Sequence, residues 1–538
     1  MFDIYILLYI IWFCWILKYA LFWLYLWQLK DYHIGRFIDH FRTEKGRKLI
    51  FSPAQIIKLV LLPLLLFGAG LSVHALYILI LVYFVQLLAG IVKKSVRKPI
   101  FTYKIIFLTV ISLTLVLASL ILAVISGSAH KLGVLLIFDL ALPLTISAVV
   151  LIFQPFSVLV RNNTLKKAER KIQEIKSGGR IKVIAITGSY GKTTTKEFLS
   201  TILSRKYKVL STKEHQNSEI GVAGCILDNL TKECDVFIAE IGAYNRGKIK
   251  EVCSVIKPDI GIVTGVNEQH LALFGSIENL LSAEGGVEMA NSLPDSGLLV
   301  VNGDNKYCIN LYKNFNKEKR IYSLSNKTIN SDIWADSVTL HEQDVSFLAI
   351  DKSGQMAHFG AKVLGRQNIQ NLLGAILTAK ELGMSFGEIS EALGDIKQEQ
   401  GGLAIRQEKH GIKIIDSSYS ANPDGVFADL DYLSMFNGKK IIIMPCLIEL
   451  GKKSPEVHEK IGEKIGQICD LAIITTKDYL RDIEKGVSVH NESAKTDRLI
   501  FCDKPKDIYS MVMLLCKSGD TVLLEGRVPA EVISLFSK

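Results

Sequence analysis

The chain has 538 residues, of which 49% are hydrophobic and 22% charged, and its formal net charge is +10. This length corresponds to about three or four domains, and the composition excludes a disordered tail, a collagen-like repeat and a small disulfide scaffold. The charge balance is +15 over residues 1–182 and −5 over residues 183–538. Because the positive excess lies in the apolar front part, it indicates membrane flanks and predicts no nucleic-acid partner.

Apolar stretches dominate the front part of the chain. Five of them approach or exceed the ~20 residues that carry a helix across a bilayer; they are 4–29, 50–70, 72–92, 103–126 and 132–156. Ionisable groups inside such stretches are often functional, but they also pair or reach the membrane surface, so we expect most to be structural. The polar side chains in question are Lys18, Lys58, His74, Gln86 and Asp139.

The connections between these stretches alternate in charge. Lysine and arginine are concentrated in 30–49, 93–104 and 161–171, and they are scarce in the other connections. Basic connections stay on the cytoplasmic side of a membrane. The pattern predicts a multi-pass α-helical bundle of about five spans over residues 1–160, in the cell (cytoplasmic) membrane. The N-terminus is then outside, and the rest of the chain is cytoplasmic.

The remaining chain has the pattern of α/β domains. Residues 161–180 predict a basic juxtamembrane helix that ends at Gly178 and Gly179. From Ile181 onward, short apolar runs alternate with helical stretches, which is typical of doubly wound parallel sheets. Polar–apolar alternation at 332–364 predicts a small β-meander. We place one α/β domain at 181–398 and a second, Rossmann-like domain at 399–538.

A phosphate-binding loop is the strongest local signal. The segment TGSYGKTTTK at 187–196 follows a buried apolar run and precedes an amphipathic helix. Gly188 and Gly191 let backbone N–H groups face phosphate oxygens, Lys192 reaches the terminal phosphates, and Thr193 supplies a hydroxyl to Mg²⁺. The alternative is a glycine-rich turn with an incidental lysine, since the spacing is shorter than GxxxxGK[ST]. The strand–loop–helix context favours nucleotide binding.

Polar residues at the ends of two later predicted strands indicate a metal site beside the phosphate loop. Glu240 ends the run VFIAE, and Asn267 and His270 follow the run IGIV. Ligands bind in the crevice beyond the carboxyl ends of parallel strands. Glu240, His270 and Thr193 are therefore expected to converge on Mg²⁺ ions. Each of these residues alone is more often a solvated or capping group, so their shared position carries the hypothesis.

A longer series of motifs resembles the Mur ligases. They occur in that family's order across about 181–538, and they are TGSYGKTTTKEF, HQNSEIGV, AEIGAYNRGKI, GVNEQHLALFGS, NGDN, GRQNIQNLLGA, IIDSSYSANPDG, LIELGKKSPEVHEKIG and GDTVLLEGR. The resemblance implies a P-loop ATPase domain followed by a Rossmann-like domain that closes over it. It also implies an ATP- and Mg²⁺-dependent ligase in which a substrate carboxylate forms an acyl phosphate and an amine then displaces phosphate.

The resemblance also assigns residues by motif. The implied catalytic residues are Lys192, His270 and Glu284. The implied nucleotide-binding residues are Gly188, Ser189, Gly191, Lys192, Thr193, Thr194, Asn368, Asn371 and Asp416. The implied metal ligands are Thr193, Glu240, His270 and Glu284, and the implied substrate contacts are Asn217, Tyr419 and Asn422.

The chain departs from the family pattern at four places. Glu284 stands where the family usually has a carbamylated lysine, and a glutamate already carries the negative charge that carbamylation supplies. Gln367 stands where the motif has histidine, and Gly402 where an arginine is common. The motif KGSR is EGR here, with Glu525 and Arg527. These departures leave ATP binding as the firmer expectation and the reaction as the less certain one.

The apolar front part is the largest departure, because it stands in place of the family's UDP-binding N-terminal domain. This arrangement favours a membrane-anchored acceptor, namely a lipid-linked cell-wall peptide precursor. The other expected partners are an amine donor such as D-Ala-D-Ala, membrane lipid and other wall-synthesis enzymes.

Three alternatives remain open. The chain also resembles amidating ligases of the isoglutaminyl synthase type, which act on lipid-linked peptide with ammonia from a separate partner. A poly-γ-glutamate synthase is a weaker choice, supported by membrane association alone. An impaired ATP-binding scaffold for wall synthesis is motivated by the changes at Glu284, Gln367 and Gly402. Intact Lys192 and Thr193 favour an enzyme.

Overall fold

A computed structural model gives the fold of most of the chain. It describes residues 2–30, 32–67, 72–92, 97–126, 131–179, 181–213, 216–243, 245–267, 270–326, 329–407, 411–418, 422–489 and 498–536. The chain divides into two units, Met1–Val160 and Arg161–Lys538. The domain boundaries inferred from the sequence stay predictions.

The first unit is helical. Its helices are α1 (Phe2–Leu29), α2 (Ile34–His40), α3 (Glu44–Ile50), α4 (Pro53–Phe67), α5 (Ser72–Val92), α6 (Tyr103–Ile125) and α7 (Lys131–Ile152), and α8 (Gln154–Ser177) leads into the second unit. Within the described residues, four stretches are long and apolar enough to cross a membrane by length and composition: Ile4–Leu29, Gly46–Leu66, Tyr103–Ile125 and Lys131–Ile152. The predicted span 72–92 coincides with α5, whose apolar stretch His74–Ala89 is shorter. The prediction of about five spans therefore remains open.

A buried ion pair lies in the core of this unit. Lys58 Nζ is 2.6 Å from Asp139 Oδ2, and both side chains are 0% exposed. Asp139 also accepts hydrogen bonds from Trp15 Nε1 at 3.2 Å and from Tyr83 Oη at 3.1 Å. Two of the polar groups inside the apolar helices, Lys58 and Asp139, thus pair with each other, as an apolar surrounding requires.

The second unit begins with a nine-stranded sheet of order β2-β3-β1-β4-β5-β6-β7-β8-β9. Its strands are β1 (Lys182–Thr187), β2 (Val209–Ser211), β3 (Val236–Glu240), β4 (Ile260–Val263), β5 (Leu298–Asn302), β6 (Lys319–Ser323), β7 (Ile333–Leu340), β8 (Val345–Asp351) and β9 (Met356–Ala361). Pairing is parallel from β2 through β7 and antiparallel from β7 to β9. The last three strands form the β-meander predicted at 332–364.

Helices cover both faces of this sheet. They are α9 (Lys192–Leu203), α10 (Glu219–Asn229), α11 (Lys248–Ile256), α12 (Leu271–Phe274), α13 (Ile277–Ser282), α14 (Val287–Ser292), α15 (Lys306–Asn314), α16 (Gln367–Glu381) and α17 (Phe386–Leu393). The central strands β3, β4 and β5 are buried throughout, which explains their continuous apolar sequences. The connection after β1 leads to one side of the sheet, and the connection after β4 leads to the other side. The carboxyl ends of β1 and β4 therefore border a crevice, and the loop after β1 opens into it.

A six-stranded sheet of order β10-β11-β15-β12-β13-β14 follows. Its strands are β10 (Ala404–Gln407), β11 (Lys413–Ser417), β12 (Lys440–Met444), β13 (Leu471–Ile474), β14 (Leu499–Phe501) and β15 (Thr521–Glu525). Among the described strands of this sheet, only β10 and β11 pair antiparallel. The helices of this domain are α18 (Pro423–Leu433), α19 (Ser454–Ile468), α20 (Leu480–Ser488), α21 (Pro505–Leu515) and α22 (Ala530–Phe536). The last residues of β11 and β15, Ser417 and Glu525, line the same cleft as the loop after β1.

Candidate active site

The phosphate loop lies between β1 and α9, as the sequence predicts. Gly188 and Gly191 have φ of 141° and 75°, values that favour glycine. A Cβ at Gly191 would lie 2.6 Å from Asn371 Oδ1, so a side chain has no room there. In the described part of the chain, no side chain caps the N-terminus of α9. Its first N–H groups are thus available to an anion, the arrangement that binds phosphate.

Lys192 and Thr193 are the first two residues of α9. Lys192 Nζ donates to Gly188 O at 2.6 Å, so the ammonium group lies over the loop. Thr193 Oγ1 donates to Glu240 Oε1 at 3.0 Å, which brings the end of β3 to the start of α9. Fully buried Lys196 is 3.3 Å from Glu240 Oε2 and neutralises that carboxylate. A hydroxyl, a carboxylate and a cation therefore meet at the phosphate loop.

His270 and Glu284 form a second cluster beside this loop. His270 Nδ1 is 3.1 Å from Glu284 Oε1, and Ser189 Oγ donates to Glu284 Oε2 at 3.0 Å. Burial alone would raise the pKa of the Glu284 carboxyl, but His270, Lys192 and Ser189 hold this pKa below its ordinary value. Glu284 therefore stays an anion beside the phosphate loop.

Glu449 joins this cluster from the C-terminal domain, and sequence reasoning missed it. Its Oε2 is 3.5 Å from His270 Nε2, and its carbonyl accepts a hydrogen bond from Ala272 N at 3.2 Å. Both His270 and Glu449 have positive φ, 67° and 70°. Such backbone strain is concentrated at functional sites. The available signal was the position of Glu449, in LIELG a few residues after the apolar run IIIM.

A cleft of about 640 Å³ connects the phosphate loop with the C-terminal domain. Ser189, Thr194, Asn368, Asn371 and Asn422 line it together with Lys192 and Thr193. The asparagines also brace it. Asn368 Nδ2 donates to Gly401 O at 3.0 Å, and Thr195 Oγ1 donates to Asn371 Oδ1 at 3.3 Å. The two domains thus share one cleft.

A contact from the central domain fixes the start of α18 in this cleft. Asn267 Nδ2 donates to Asp424 Oδ2 at 2.6 Å and to Asn422 Oδ1 at 3.4 Å. Asn267 was noted in the sequence only as a neighbour of His270, and Asp424 was not singled out. The contact places the first turn of α18 next to the phosphate loop.

Two predicted site residues, Asp416 and Asn217, are not among the described residues that line the cleft, and a third is not described. Asp416 accepts from Ser418 Oγ at 2.6 Å and pairs with Arg406 at 3.2 Å. Asn217 donates to Glu240 Oε1 at 3.2 Å, so it positions that carboxylate. Tyr419 lies outside the described residues. The substrate and nucleotide roles of these residues stay predictions.

The residues at the phosphate loop fit a magnesium–phosphate site. Among the described residues, no group of three or more His, Cys, Asp or Glu side chains is placed to hold a metal ion. Mg²⁺ usually binds through one or two carboxylates together with substrate phosphates, so it does not need such a cage. The adjacent Thr193 hydroxyl and Glu240 carboxylate match that donor set.

Two family models match the second unit. The Mur ligase middle domain matches residues 186–379, and the Mur ligase glutamate ligase domain matches residues 403–528. The chain is 28% identical to the UDP-N-acetylmuramoyl-tripeptide–D-alanyl-D-alanine ligase of Escherichia coli, over 64% of this chain and 74% of that protein. It is 30% identical to the ligase of the same name from Borreliella burgdorferi, over 61% of this chain and 69% of that protein.

Solved structures have the same fold. MurF from Acinetobacter baumannii matches with a TM-score of 0.62 at 23% identity, over 70% of this chain and 81% of that one. MurF from Thermotoga maritima in complex with ADP matches with a TM-score of 0.60 at 23% identity, over 70% of this chain and 83% of that one. The fold of the two α/β domains is therefore MurF-like.

Proposed function

Because this chain belongs to the Mur ligase family of ATP-dependent ligases, we propose that it joins a carboxyl group of a cell-wall peptide precursor to an amine through an acyl phosphate. The observation that carries the proposal is the shared cleft. The phosphate loop forms one wall, and Asn422 and Asp424 of the C-terminal domain form the other. A ligase needs this arrangement because it must hold ATP and two further substrates together while excluding water.

The residues of the loop supply the charge that this reaction requires. Lys192 would bind the terminal phosphates of ATP, and the free N–H groups of α9 would bind their oxygens. Thr193 and Glu240 would hold one Mg²⁺, and His270 with Glu284 a second. Bound Mg²⁺ would neutralise charge between the two anions that react. Glu240 is oriented for this role by Asn217 and Lys196.

Glu284 supplies an anion without carbamylation in this proposal. Ser189 and His270 hold its two carboxylate oxygens, so the side chain is already oriented. We therefore expect ADP release to be independent of added bicarbonate. Glu284→Lys should lower the rate of ADP release in bicarbonate-free buffer, whereas an ATP-binding scaffold would be indifferent to the change.

The first unit would anchor the enzyme in the cytoplasmic membrane, with the N-terminus outside and the catalytic domains in the cytoplasm. The long apolar helices and the alternating basic connections support this topology. A membrane anchor favours a lipid-linked acceptor over a soluble UDP-linked one. The two acceptors can be supplied separately to detergent-purified protein, and equal turnover of both would contradict the preference for lipid.

The central experiment measures ADP release by the purified full-length protein with Mg²⁺ and acceptor. D-Ala-D-Ala, the donor in the names of the relatives, is compared with ammonia and with glutamate. Lys192→Ala should lower turnover about 10²–10³-fold, the typical effect of removing one group that stabilises transition-state charge. Lys208→Ala, which removes an exposed lysine of the same domain, is the control. If the parent neither binds nor hydrolyses ATP, or if Lys192→Ala behaves like the parent, the proposal is wrong.

A further inference from the structure

The C-terminal wall of the cleft is acidic. Four carboxyl side chains line this wall, and no lysine or arginine does so among the described residues from 401 onward; the four are Asp424, Asp429, Asp431 and Glu525. The opposite wall carries the cations Lys192 and Arg366. Phosphate oxygens are repelled by carboxylates, so the acidic wall is unsuited to the anionic end of ATP. Asp431 already pairs with Lys464. The other three carboxyl groups make the wall suited to a positively charged group.

Two of these carboxyl groups are buried and fixed. Asp429 is 3% exposed and Glu525 is 1% exposed. Ser417 Oγ donates to Asp429 Oδ2 at 2.5 Å, and Gln367 Nε2, from the central domain, donates to Asp429 Oδ1 at 3.1 Å. Both carboxylate oxygens of Asp429 are therefore held, and the contact with Gln367 connects the two domains.

Two acceptor atoms in this cluster have no donor. Glu525 Oε2 and Gln367 Oε1 are buried, and neither has a hydrogen-bond partner among the described residues. Such atoms are rare in folded proteins and require an explanation, because an unsatisfied acceptor loses its interaction with water. Burial raises the pKa of Asp429 to about 6, and burial together with Asp429 raises that of Glu525 further. The pair therefore holds a shared proton between Asp429 and Glu525. A ligand that brings N–H donors and positive charge would displace this proton and satisfy the free oxygens.

We propose that Gln367, Asp429 and Glu525 bind the protonated amino group of the amine donor. This proposal rests on the proposed ligase function and specifies its second substrate as a primary ammonium. An ammonium group has three N–H donors and no acceptor. It matches the acceptor oxygens of Gln367 and of the carboxyl pair once the proton that the pair shares has been released to solvent. The same wall disfavours a donor whose carboxylate lies next to its amine, because that carboxylate would face Asp429 and Glu525.

The test uses the full-length protein and the amine donor that gives the fastest ADP release. Glu525→Gln and Asp429→Asn should each raise the KM for this donor at least tenfold and change the KM for ATP less than twofold. Glu484→Gln, which removes an exposed carboxylate on α20 of the same domain, should change neither. If a buried substitution prevents folding, Gln367→Met provides the test at a half-buried position. It removes both the free acceptor Oε1 and the hydrogen bond to Asp429, and it should also raise the donor KM.

A competition experiment separates charge from hydrogen bonding. Methylammonium should compete with the amine donor in the parent and lose this effect in Glu525→Gln. Tetramethylammonium has the same charge but no N–H group, so it should not compete in either protein.

Three outcomes overturn the inference. One is an unchanged donor KM in the folded variants; another is a raised KM for ATP alone, which makes the cluster a nucleotide contact. The third is a shift in the Mg²⁺ requirement alone, which makes it a metal site. In each case amine-dependent ADP release by the parent would still support the ligase function, so the two proposals fail separately.

Discussion

Removing one partner of the buried pair Lys58–Asp139 should destabilise the first unit strongly. Both side chains are 0% exposed. Among the described residues, Lys58→Met leaves the Asp139 carboxylate with two neutral donors, Trp15 and Tyr83. Breaking a buried ion pair in this way costs about 3–5 kcal/mol. Asp139→Asn leaves a buried ammonium group, but the rings of Trp15 and Tyr83 lie 4.9 and 4.6 Å from it. Because cation–π contacts stabilise a buried ammonium group by about 0.5–2 kcal/mol, Asp139→Asn should lower the free energy of unfolding less than Lys58→Met does.

The double variant Lys58→Met/Asp139→Asn distinguishes a charge effect from a packing effect. It removes both charges and keeps an oxygen that accepts from Trp15, so its stability should lie closer to the parent than that of Lys58→Met. Lys18→Met is the matched control. Lys18 donates to the carbonyl of Gln86 at 3.3 Å and has no carboxylate partner among the described residues, so its loss should cost about 1.5–3 kcal/mol, less than the loss of Lys58.

Intrinsic fluorescence can measure these changes. Four of the five tryptophans lie in α1, so tryptophan emission during an SDS titration in mixed micelles reports the unfolding of the first unit. The reasoning is refuted if the effects of the two single substitutions add up in the double variant. Strict additivity would mean that the two side chains do not interact.

Two further predictions concern the second unit. Gly191→Ala should weaken ATP binding in calorimetry at least tenfold, because its Cβ would meet Asn371. The control is Gly354→Ala, at a φ of 83° with open space around it. This control imposes similar backbone strain without that contact and should bind ATP normally. Burial lowers the pKa of His458, whose Nε2 accepts a hydrogen bond from Leu447 N at 2.9 Å. The unfolded state therefore binds a proton more readily than the folded state. As a result, the free energy of unfolding should fall as the pH drops below about 6.5. Urea unfolding at pH 7.5 and 5.5 should show this loss, and a His458→Gln variant with the same pH dependence as the parent would contradict it.

Features with local sequence signals were predictable. The loop at 187–196 carries its own glycines, lysine and threonine, and the strand before it is a continuous apolar run. The structure has β1, the loop and α9 in that order. The Mur ligase resemblance, which depends on such local motifs, is confirmed by the two family models.

Short or interrupted elements were harder to predict. The strands β2 and β10 have three and four residues, too few to show a period, and the sequence of β6, KRIYS, is half polar. The predicted span 50–70 begins inside α3, and Pro53 starts a new helix after it. Proline favours the first turn of a helix, so this break was visible in the sequence but was outweighed by hydrophobicity.

Contacts between domains could not be predicted from local patterns. Glu449 reaches His270, and Gln367 reaches Asp429, only because the C-terminal domain packs against the central one. Nothing in the neighbourhood of Asp429 marks it as more than a residue of an amphipathic helix. The departure at Glu525 was visible as a change from lysine, but its meaning depends on the burial of Asp429 beside it.

The two acidic departures from the family pattern have opposite electrostatic settings. The charge of Glu284 is compensated, because His270, Lys192 and Ser189 lower its pKa. His270 and Ser189 also contact its two carboxylate oxygens. The charge of Glu525 is not compensated, because burial and the Asp429 carboxyl group raise its pKa and, among the described residues, its Oε2 has no hydrogen-bond donor. A carboxylate whose charge is compensated can help to hold a metal ion that is already part of the phosphate site. A carboxyl group without such compensation, like Glu525, is stabilised most by a cation that a substrate brings into the site. For an amide ligase, that cation is the ammonium form of its amine substrate.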